Sequence, residues 1–295
     1  MDGVLAGKVA IITGAGRGIG RAHALAFAQA GAAVVVNDLG VALDGTRAST
    51  DPADDVVAEI RAAGGRAVAD STDITNWDAT RGIVTRAVEE FGGLDIVVNN
   101  AGISRFSGRM GAISHADWAH TLAVNLHGTA ALCHWAAAYW IEQGPRAGRA
   151  IVNTTSDVGL TRMSTLELPN AAYAASKAGI AALTQACAVE LADLGVRANA
   201  IAPVARSRIS EVVAPDLMKQ VSEGFDRMSP ENIAAIVVYL ASPTCTLTGR
   251  VVRILGDDLS ILQTWTTEHQ FSNGGSRWTL EALDAKLSPF GTDHG

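Results

Sequence analysis

Lys8-Val9-Ala10-Ile11-Ile12-Thr13-Gly14-Ala15-Gly16-Arg17-Gly18-Ile19-Gly20 is the stretch on which the reading of this chain turns. An apolar run from Lys8 to Thr13 passes at once into glycines, and a helical pattern (RAHALAFA, Arg21 to Ala28) follows them. A strand that feeds a helix through glycines lets the backbone approach a pyrophosphate. The helix start then offers unpaired N–H groups and the positive end of a dipole. The glycines fall as Gly-x-x-x-Gly-x-Gly at Gly14, Gly18 and Gly20, with Gly16 additional. Gly14, Arg17, Gly18, Ile19 and Gly20 are therefore candidate cofactor contacts, against the alternative of a ligand-free glycine turn.

Working outward, Ala32 to Asn37 (AAVVVN) reads as a second buried strand with Asp38 at its end. A carboxylate roughly 20 residues beyond such a turn suits the ribose 2′-hydroxyl of NAD and repels the 2′-phosphate of NADP. Arg17 and Arg47 oppose that preference, so NAD is expected and NADP is the alternative. Residues 39–52 form a polar connection, Ala53 to Ala63 a helix and Arg66 to Ser71 a third strand. Asp73 stands just past that strand, within reach of an adenine amine or simply in a solvated loop. Asn76 to Phe91 is an amphipathic helix. Leu94 to Val98 is a fourth strand, closed by Asn99-Asn100-Ala101-Gly102. Amides and a glycine at a strand's C-terminal edge can satisfy exposed backbone groups and line a cofactor crevice.

The alternation continues. A long helical region runs from His115 to about Gln143, with Asn125 inside it, where asparagine often marks a local break. Arg149 to Thr155 (RAIVNTT) is strand five, Val196 to Ala202 strand six, Pro230 to Leu240 a helix and Val251 to Leu255 strand seven. Apolar strands alternating with helices predict an α/β fold: a single Rossmann-type doubly wound domain of about seven parallel strands, helices on both faces. Residues 1–295 read as that one domain, with 257–295 an extension, containing Trp265 and Trp278, that packs on it or on a neighbouring subunit.

Composition narrows the function. Of the 295 residues 48% are hydrophobic and 18% charged, enough apolar material for a sizeable core, and 30 Gly against 8 Pro suits tight strand-to-helix turns. A formal charge of -7 argues against nucleic-acid binding. No apolar run reaches the roughly 18 residues of a membrane span. The N-terminus lacks a basic n-region and a cleavage site, which predicts no secretory leader. Three widely spaced cysteines, Cys133, Cys187 and Cys245, fit a reduced, cytoplasmic setting. His120, His127 and His134 invite a metal reading, but seven residues of helix rise about 10.5 Å, too far for two rings to share an ion. No metal site is expected.

Tyr173-Ala174-Ala175-Ser176-Lys177 opens an Ala-rich helix that reads to about Asp193. Tyr173 and Lys177, one turn apart, point from one face. A nearby ammonium stabilises a phenolate and lowers its pKa, so the pair can act as a general acid/base at a hydroxyl or carbonyl. A surface Tyr and Lys at helical spacing is the alternative. The same helix has small or apolar residues on several faces (Ala178, Ile180, Ala182, Leu183, Ala186, Val189), which predicts subunit pairing.

In this order Thr13 to Gly20, Asn99-Asn100-Ala101-Gly102, Asn125, Ser156 and Tyr173-x-x-x-Lys177 resemble the short-chain dehydrogenase/reductase family over about Lys8 to Gly256. Val34 to Gly40, and Ile201-Ala202-Pro203 followed by Ser207-Arg208, are similar to the 3-hydroxyacyl-CoA dehydrogenase domain of peroxisomal multifunctional enzymes and to bacterial sterol-degradation dehydrogenases. The resemblance implies that Tyr173 exchanges a proton with the substrate hydroxyl while the nicotinamide exchanges a hydride with its carbon. It implies that Lys177 lowers the tyrosine pKa and holds the nicotinamide ribose, that Ser156 hydrogen-bonds the substrate oxygen, and that Asn125 holds a water linking Lys177 to solvent. Gly14, Arg17, Gly18, Ile19, Gly20, Asp38, Asp73, Asn100, Ala101, Gly102, Tyr173, Lys177 and Pro203 would contact NAD. Homodimers or homotetramers are implied. Two departures stand out: Pro203 is followed by Val204 where many members have glycine, and residues 157–172 between Ser156 and Tyr173 exceed the usual length. The expected reaction joins NAD to a secondary alcohol or ketone, a 3-hydroxyacyl-CoA or hydroxysteroid among them. The alternatives are an NADPH-dependent 3-oxoacyl thioester or other ketone reductase, and a catalytically silent NAD-binding sensor or scaffold. Arg105, Arg109, Arg162, Arg206 and Arg208 form a candidate anion-binding set for a CoA thioester.

Overall fold

Alternate residues of the first strand enter two different cores. Strand β1 (Val9–Thr13) sends Ala10 and Ile12 to one face and Val9 and Ile11 to the other, all buried. The same period-2 split recurs in β2 (Ala33–Asn37), where Val34 and Val36 oppose Ala33 and Val35. Strands buried on both faces need near-continuous apolar sequence, which is what the runs supply. The computed structural model describes residues 3–41, 52–104, 109–161, 170–263 and 266–290.

The remaining strands are β3 (Arg66–Asp70), β4 (Ile96–Asn99), β5 (Arg149–Thr154), β6 (Val196–Val204), β7 (Val251–Leu255) and β8 (Asp258–Leu262). One sheet orders them β3-β2-β1-β4-β5-β6-β7-β8, parallel throughout except for the antiparallel β7–β8 pair. The strand order reverses direction between β1 and β4. That switch point opens a crevice at the C-terminal strand ends, where open parallel sheets bind ligands.

Helices cover both faces. On one side α1 (Gly18–Gln29), α2 (Pro52–Ala62) and, later in the chain, the helix Glu231–Ala241 contribute Phe27, Ile60 and Val237 to the core. On the other, α3 (Trp77–Phe91), the helix Gly128–Gln143 and the helix Ala171–Glu190 contribute Ile83, Trp140 and Cys187. In chain order the helices after α3 are α4 (His115–Leu122), α5 (Gly128–Gln143), α6 (Ala171–Glu190), α7 (Arg208–Val213), α8 (Glu231–Ala241) and α9 (Leu280–Leu287). Between α4 and α5 the region expected as one long helix is a π-helical turn, Ala123–His127, centred on Asn125. The break therefore falls at the asparagine that marked it. No helix among the described residues is long and apolar enough to cross a membrane.

The strand count differs from the expected seven. Gly256 and Asp257 make a two-residue hairpin, with Leu255 opposite Asp258, and Gly256 supplies the positive φ of 59° that such a turn favours. β8 follows and caps the sheet edge in antiparallel sense. The first compact unit therefore runs through Leu262, and residues 263–295 form a second. Within that second unit His269, Phe271 and Phe290 pack ring to ring, with the Lys286 ammonium over the Phe271 ring. Trp265 lies outside the described residues.

Candidate active site

The glycine turn is built by contact. Gly14 has φ 62°, and a Cβ there would meet the Ala101 Cα at 2.8 Å. A Cβ on Gly20 would overlap the Gly14 carbonyl oxygen and lie 2.5 Å from Asn100 Nδ2. Only hydrogen at these two positions lets β1, α1 and the segment after β4 close together. Thr13 and Asn100 then lock the junction. Thr13 Oγ1 accepts from the backbone N–H groups of Asn100 and Ala101 at 3.1 Å each. Asn100 Nδ2 donates to the carbonyls of Thr13 (3.0 Å) and Gly14 (3.1 Å). In the sequence Thr13 stands as the first residue of the family-like glycine motif with no contact assigned to it; the sign of its role there is a hydroxyl at the end of an apolar strand, directly before the glycines.

α1 starts at Gly18 with no side-chain cap from Arg17. Its first N–H groups therefore point outward unpaired by any capping side chain, beside Gly18, around which a Cβ would meet only open space. Asp38 is buried at the end of β2, accepting Gly16 N–H on Oδ2 and Gly40 N–H on Oδ1, each at 2.9 Å. These bonds fix the carboxylate against the turn while leaving lone pairs for a diol. Uncapped helix start, absent side chains and fixed carboxylate together fit a dinucleotide. Ile19 is partly buried against the core. Asp73 caps its own exposed turn, accepting from Thr75 N (2.9 Å) and Thr75 Oγ1 (2.8 Å). Pro203 lies within β6 opposite Ile254, since the strand extends two residues beyond the expected end.

The residues expected to handle the proton converge at the C-terminal edge of β5. Lys177 is buried, and its Nζ donates to the Thr154 carbonyl at 2.8 Å and lies 5.4 Å from the Tyr173 ring centroid. Thr155 Oγ1 donates to the Lys177 carbonyl at 2.6 Å, tying α6 to the strand end. A Cβ on Gly102 would sit 3.4 Å from both Lys177 Nζ and Asn125 Oδ1, so this glycine leaves room for both groups. Asn125 is fully buried; Oδ1 accepts from Ile103 N (2.8 Å), while Nδ2 donates to Ile103 O (2.9 Å) and Ser176 Oγ (3.0 Å). Its side chain holds the walls of the site, and Ser176, unremarked in the sequence reading, is its partner.

Burial controls the electrostatics. Desolvation raises the Tyr173 phenol above its ordinary pKa, and the hydrogen bond from Ser156 partly opposes the rise. Desolvation also lowers the Lys177 ammonium to about 8. The expected lowering of the tyrosine by the lysine is therefore not the dominant effect: removing both groups from water favours their neutral forms. Around neutral pH the site presents a protonated phenol, hydrogen-bonded to Ser156, above a charged lysine.

Among the described residues, Arg206 and Arg208 of the arginine set are held by the protein's own acceptors. Arg206 is held by Asp226 (2.8 Å) and by the Met218 carbonyl. Arg208 donates to the Val41 carbonyl at 2.9 Å, which Arg17 also reaches at 3.5 Å. Arg109 is exposed. Arg47, Arg105 and Arg162, and half of the long stretch before Tyr173 (residues 162–169), lie outside the described residues.

The profile of the short chain dehydrogenase family matches residues 8–211. The chain is 40% identical over 297 residues to the hydroxyacyl-CoA dehydrogenase ChsB1 of Mycobacterium tuberculosis, covering 97% of this chain and 89% of that protein. It is 39% identical to the peroxisomal multifunctional enzyme type 2 of Drosophila melanogaster, covering 83% of this chain and 38% of that longer protein. A crystal structure of a short chain dehydrogenase from Mycobacterium avium superposes with a TM-score of 0.83 at 43% identity, covering 97% of this chain and 95% of that one.

Proposed function

The chain belongs to the short-chain dehydrogenase family, an oxidoreductase of secondary alcohols and ketones, and from that membership we propose that it interconverts a 3-hydroxyacyl-CoA and its 3-oxo counterpart with NAD. The convergence of Ser156, Tyr173 and Lys177 beside an uncapped, glycine-lined helix start is the observation that supports the reading. The choice of acyl-CoA rests on the hydroxyacyl-CoA dehydrogenase relative, which aligns over nearly the whole chain.

Gly14, Arg17, Gly18, Ile19 and Gly20 would hold the pyrophosphate, Asp38 the adenosine ribose and Asp73 the adenine. Asn100, Ala101, Gly102 and Pro203 would line the nicotinamide half. The dinucleotide, when bound, supplies or accepts the hydride. Tyr173 gives its phenolic proton to the substrate oxygen in reduction and recovers it in oxidation. Ser156 hydrogen-bonds the same oxygen and steadies the charge that develops there. Lys177 places its charge under the phenol and within reach of the nicotinamide ribose. Asn125 keeps α6 and the segment after β4 at the separation that this traffic requires.

An NADPH-dependent ketone reductase is the second reading. The phenol held protonated suits proton delivery, and the guanidiniums of Arg17 and Arg208 meet at the Val41 carbonyl just past Asp38, where a 2′-phosphate would need cations. One screen separates the two: NAD and NADP, each with 3-hydroxyacyl-CoA thioesters, hydroxysteroids and simple secondary alcohols. We expect turnover of the acyl-CoA with NAD, and a loss of about 100- to 10,000-fold in kcat for Tyr173→Phe with dinucleotide affinity little changed. Preference for NADP selects the second reading. Undiminished turnover in Tyr173→Phe refutes the proton role, and calorimetry that detects neither dinucleotide refutes the enzyme.

A further inference from the structure

Ser156 stands two residues past Thr154, the end of β5, so something other than the sheet must aim its hydroxyl. Its Oγ accepts the Val158 N–H at 3.2 Å. Val158 lies in a turn closed by the Asp157 carbonyl, which accepts Leu160 N–H (3.1 Å), Thr161 N–H (2.9 Å) and the Thr161 hydroxyl (3.0 Å). The Asp157 side chain in turn reaches past β6 to β7, where its Oδ2 accepts Arg253 Nε at 2.7 Å. The carboxylate is 8% exposed and the guanidinium 29%. Arg253 is itself fixed by β-sheet register, opposite Ala202 of β6 and Ser260 of β8.

The pair is poorly explained as a stabilising bridge alone. Asp157 Oδ1 is buried with no hydrogen-bond partner among the described residues, so the carboxylate is incompletely satisfied. Ion pairs taken out of water rarely stabilise a fold more than apolar residues of similar size would, and an incompletely bonded one still less. What the contact does provide is a mechanical tie. A rigid strand holds the turn, and the turn's N–H holds the serine.

We propose that Asp157 and Arg253 are positioning residues, anchoring turn 157–161 to β7 so that Ser156 Oγ stays against the Tyr173 hydroxyl. The inference rests on the reading that Ser156 and Tyr173 handle the substrate oxygen. Because the Ser156 hydrogen bond pulls the Tyr173 pKa downward against burial, loosening the turn raises that pKa. The charged neighbour on the tyrosine's own helix, Lys177, is left in place by the change.

The test uses the full chain carrying Arg253→Gln, Arg253→Lys, Asp157→Asn and the Asp157→Asn/Arg253→Gln double change. Arg253→Gln should lower kcat by about 10- to 100-fold, as expected for a misplaced hydrogen-bond donor, with KM for the dinucleotide unchanged. The rising limb of the alcohol-oxidation pH profile should move to higher pH. The double variant should be no worse than the poorer single variant, because the two residues act as one unit, and Arg253→Lys should recover part of the loss. Wild-type kcat and pH profile in Arg253→Gln overturn the proposal. So does a loss that merely tracks the fraction of unfolded protein, or effects that add. A second readout needs no substrate: titration of Tyr173 by NMR of isotope-labelled tyrosine, with Ser156→Ala as reference. If Ser156→Ala moves the Tyr173 pKa and Arg253→Gln does not, the positioning role is wrong even where the substrate reading stands. If both move it and no substrate turns over, the positioning holds and the proposed reaction fails.

Discussion

Tyr173 and Lys177 stand one helical turn apart on α6, and burial moves both toward their uncharged forms, the phenol upward and the ammonium down to about 8. Neither direction can be read from the Tyr-x-x-x-Lys spacing, because desolvation depends on what α6 packs against. His23 makes the same point outside the site. It occupies an ordinary place in the α1 pattern, yet it is fully buried, neither ring nitrogen has a hydrogen-bond partner among the described residues, and desolvation lowers its pKa to about 3. Its protonated form is stable only after unfolding. The unfolded chain therefore binds more protons between the ordinary value of 6.5 and about 3, and stability falls as pH drops through that interval. The expected slope from this residue is about 1.4 kcal/mol per pH unit, with nothing contributed above 6.5. Urea unfolding of the wild type and of His23→Phe across the interval checks this. The variant should lose that part of the acid destabilisation; parallel curves would show that His23 is not its source.

At the scale of the element, the start of α1 combines an uncapped helix end with glycines too tightly placed for any other residue. Gly20→Ala drives a methyl into the Gly14 carbonyl and the Asn100 amide. The turn must open, at a cost of about 1–3 kcal/mol typical of overpacking. Dinucleotide affinity should fall at least about tenfold in calorimetry, as 1.4 kcal/mol of lost binding already gives that factor. Unchanged affinity would mean that the turn does not cradle the pyrophosphate. The strand–glycine–helix order made this element legible, because local geometry alone demands it. The π-helical turn at Asn125 was half legible. Asparagine announced a break, but its partners Ile103 and Ser176 come from distant segments, and only packing reveals that the amide is engaged by them.

Across the whole molecule, the strand order is set by the tertiary structure, while the parallel sheet and the two-sided cores follow from alternating apolar strands and helices. The antiparallel β8 does not, since its outward residues Leu259 and Ile261 lack the burial that marks the other strands. Its one clear sign is the two-residue hairpin at Gly256-Asp257. The helices α5 and α6 carry Ile141 and Val189, 63% and 78% exposed, and such apolar side chains on a chain of this class suit contact with a second copy. We propose a homodimer or homotetramer. Light scattering at micromolar concentration should give a multiple of the chain mass, and a chain ending at Leu262 should still fold and bind the dinucleotide, because that unit holds its own cores. A monomer at that concentration contradicts the assembly, and a truncated chain that fails to fold contradicts the independence of the first unit.

The sequence by itself determined the α/β class, the strand–glycine–helix turn and the acidic residue at the end of β2, and it singled out Ser156, Tyr173 and Lys177 as candidates. The class, the turn and the acidic position rest on periodicity or short spacing, which local backbone geometry translates directly into position, whereas Ser156, and the pairing of Tyr173 with it, rest on resemblance to the family's motif order. Only the tertiary structure decided that burial outweighs the Ser156 hydrogen bond at Tyr173, that Arg206 is held by Asp226, and that Asp157 is tied to Arg253. Those outcomes depend on desolvation and on contacts between residues far apart in the chain, and no local pattern records which distant side chain will meet which.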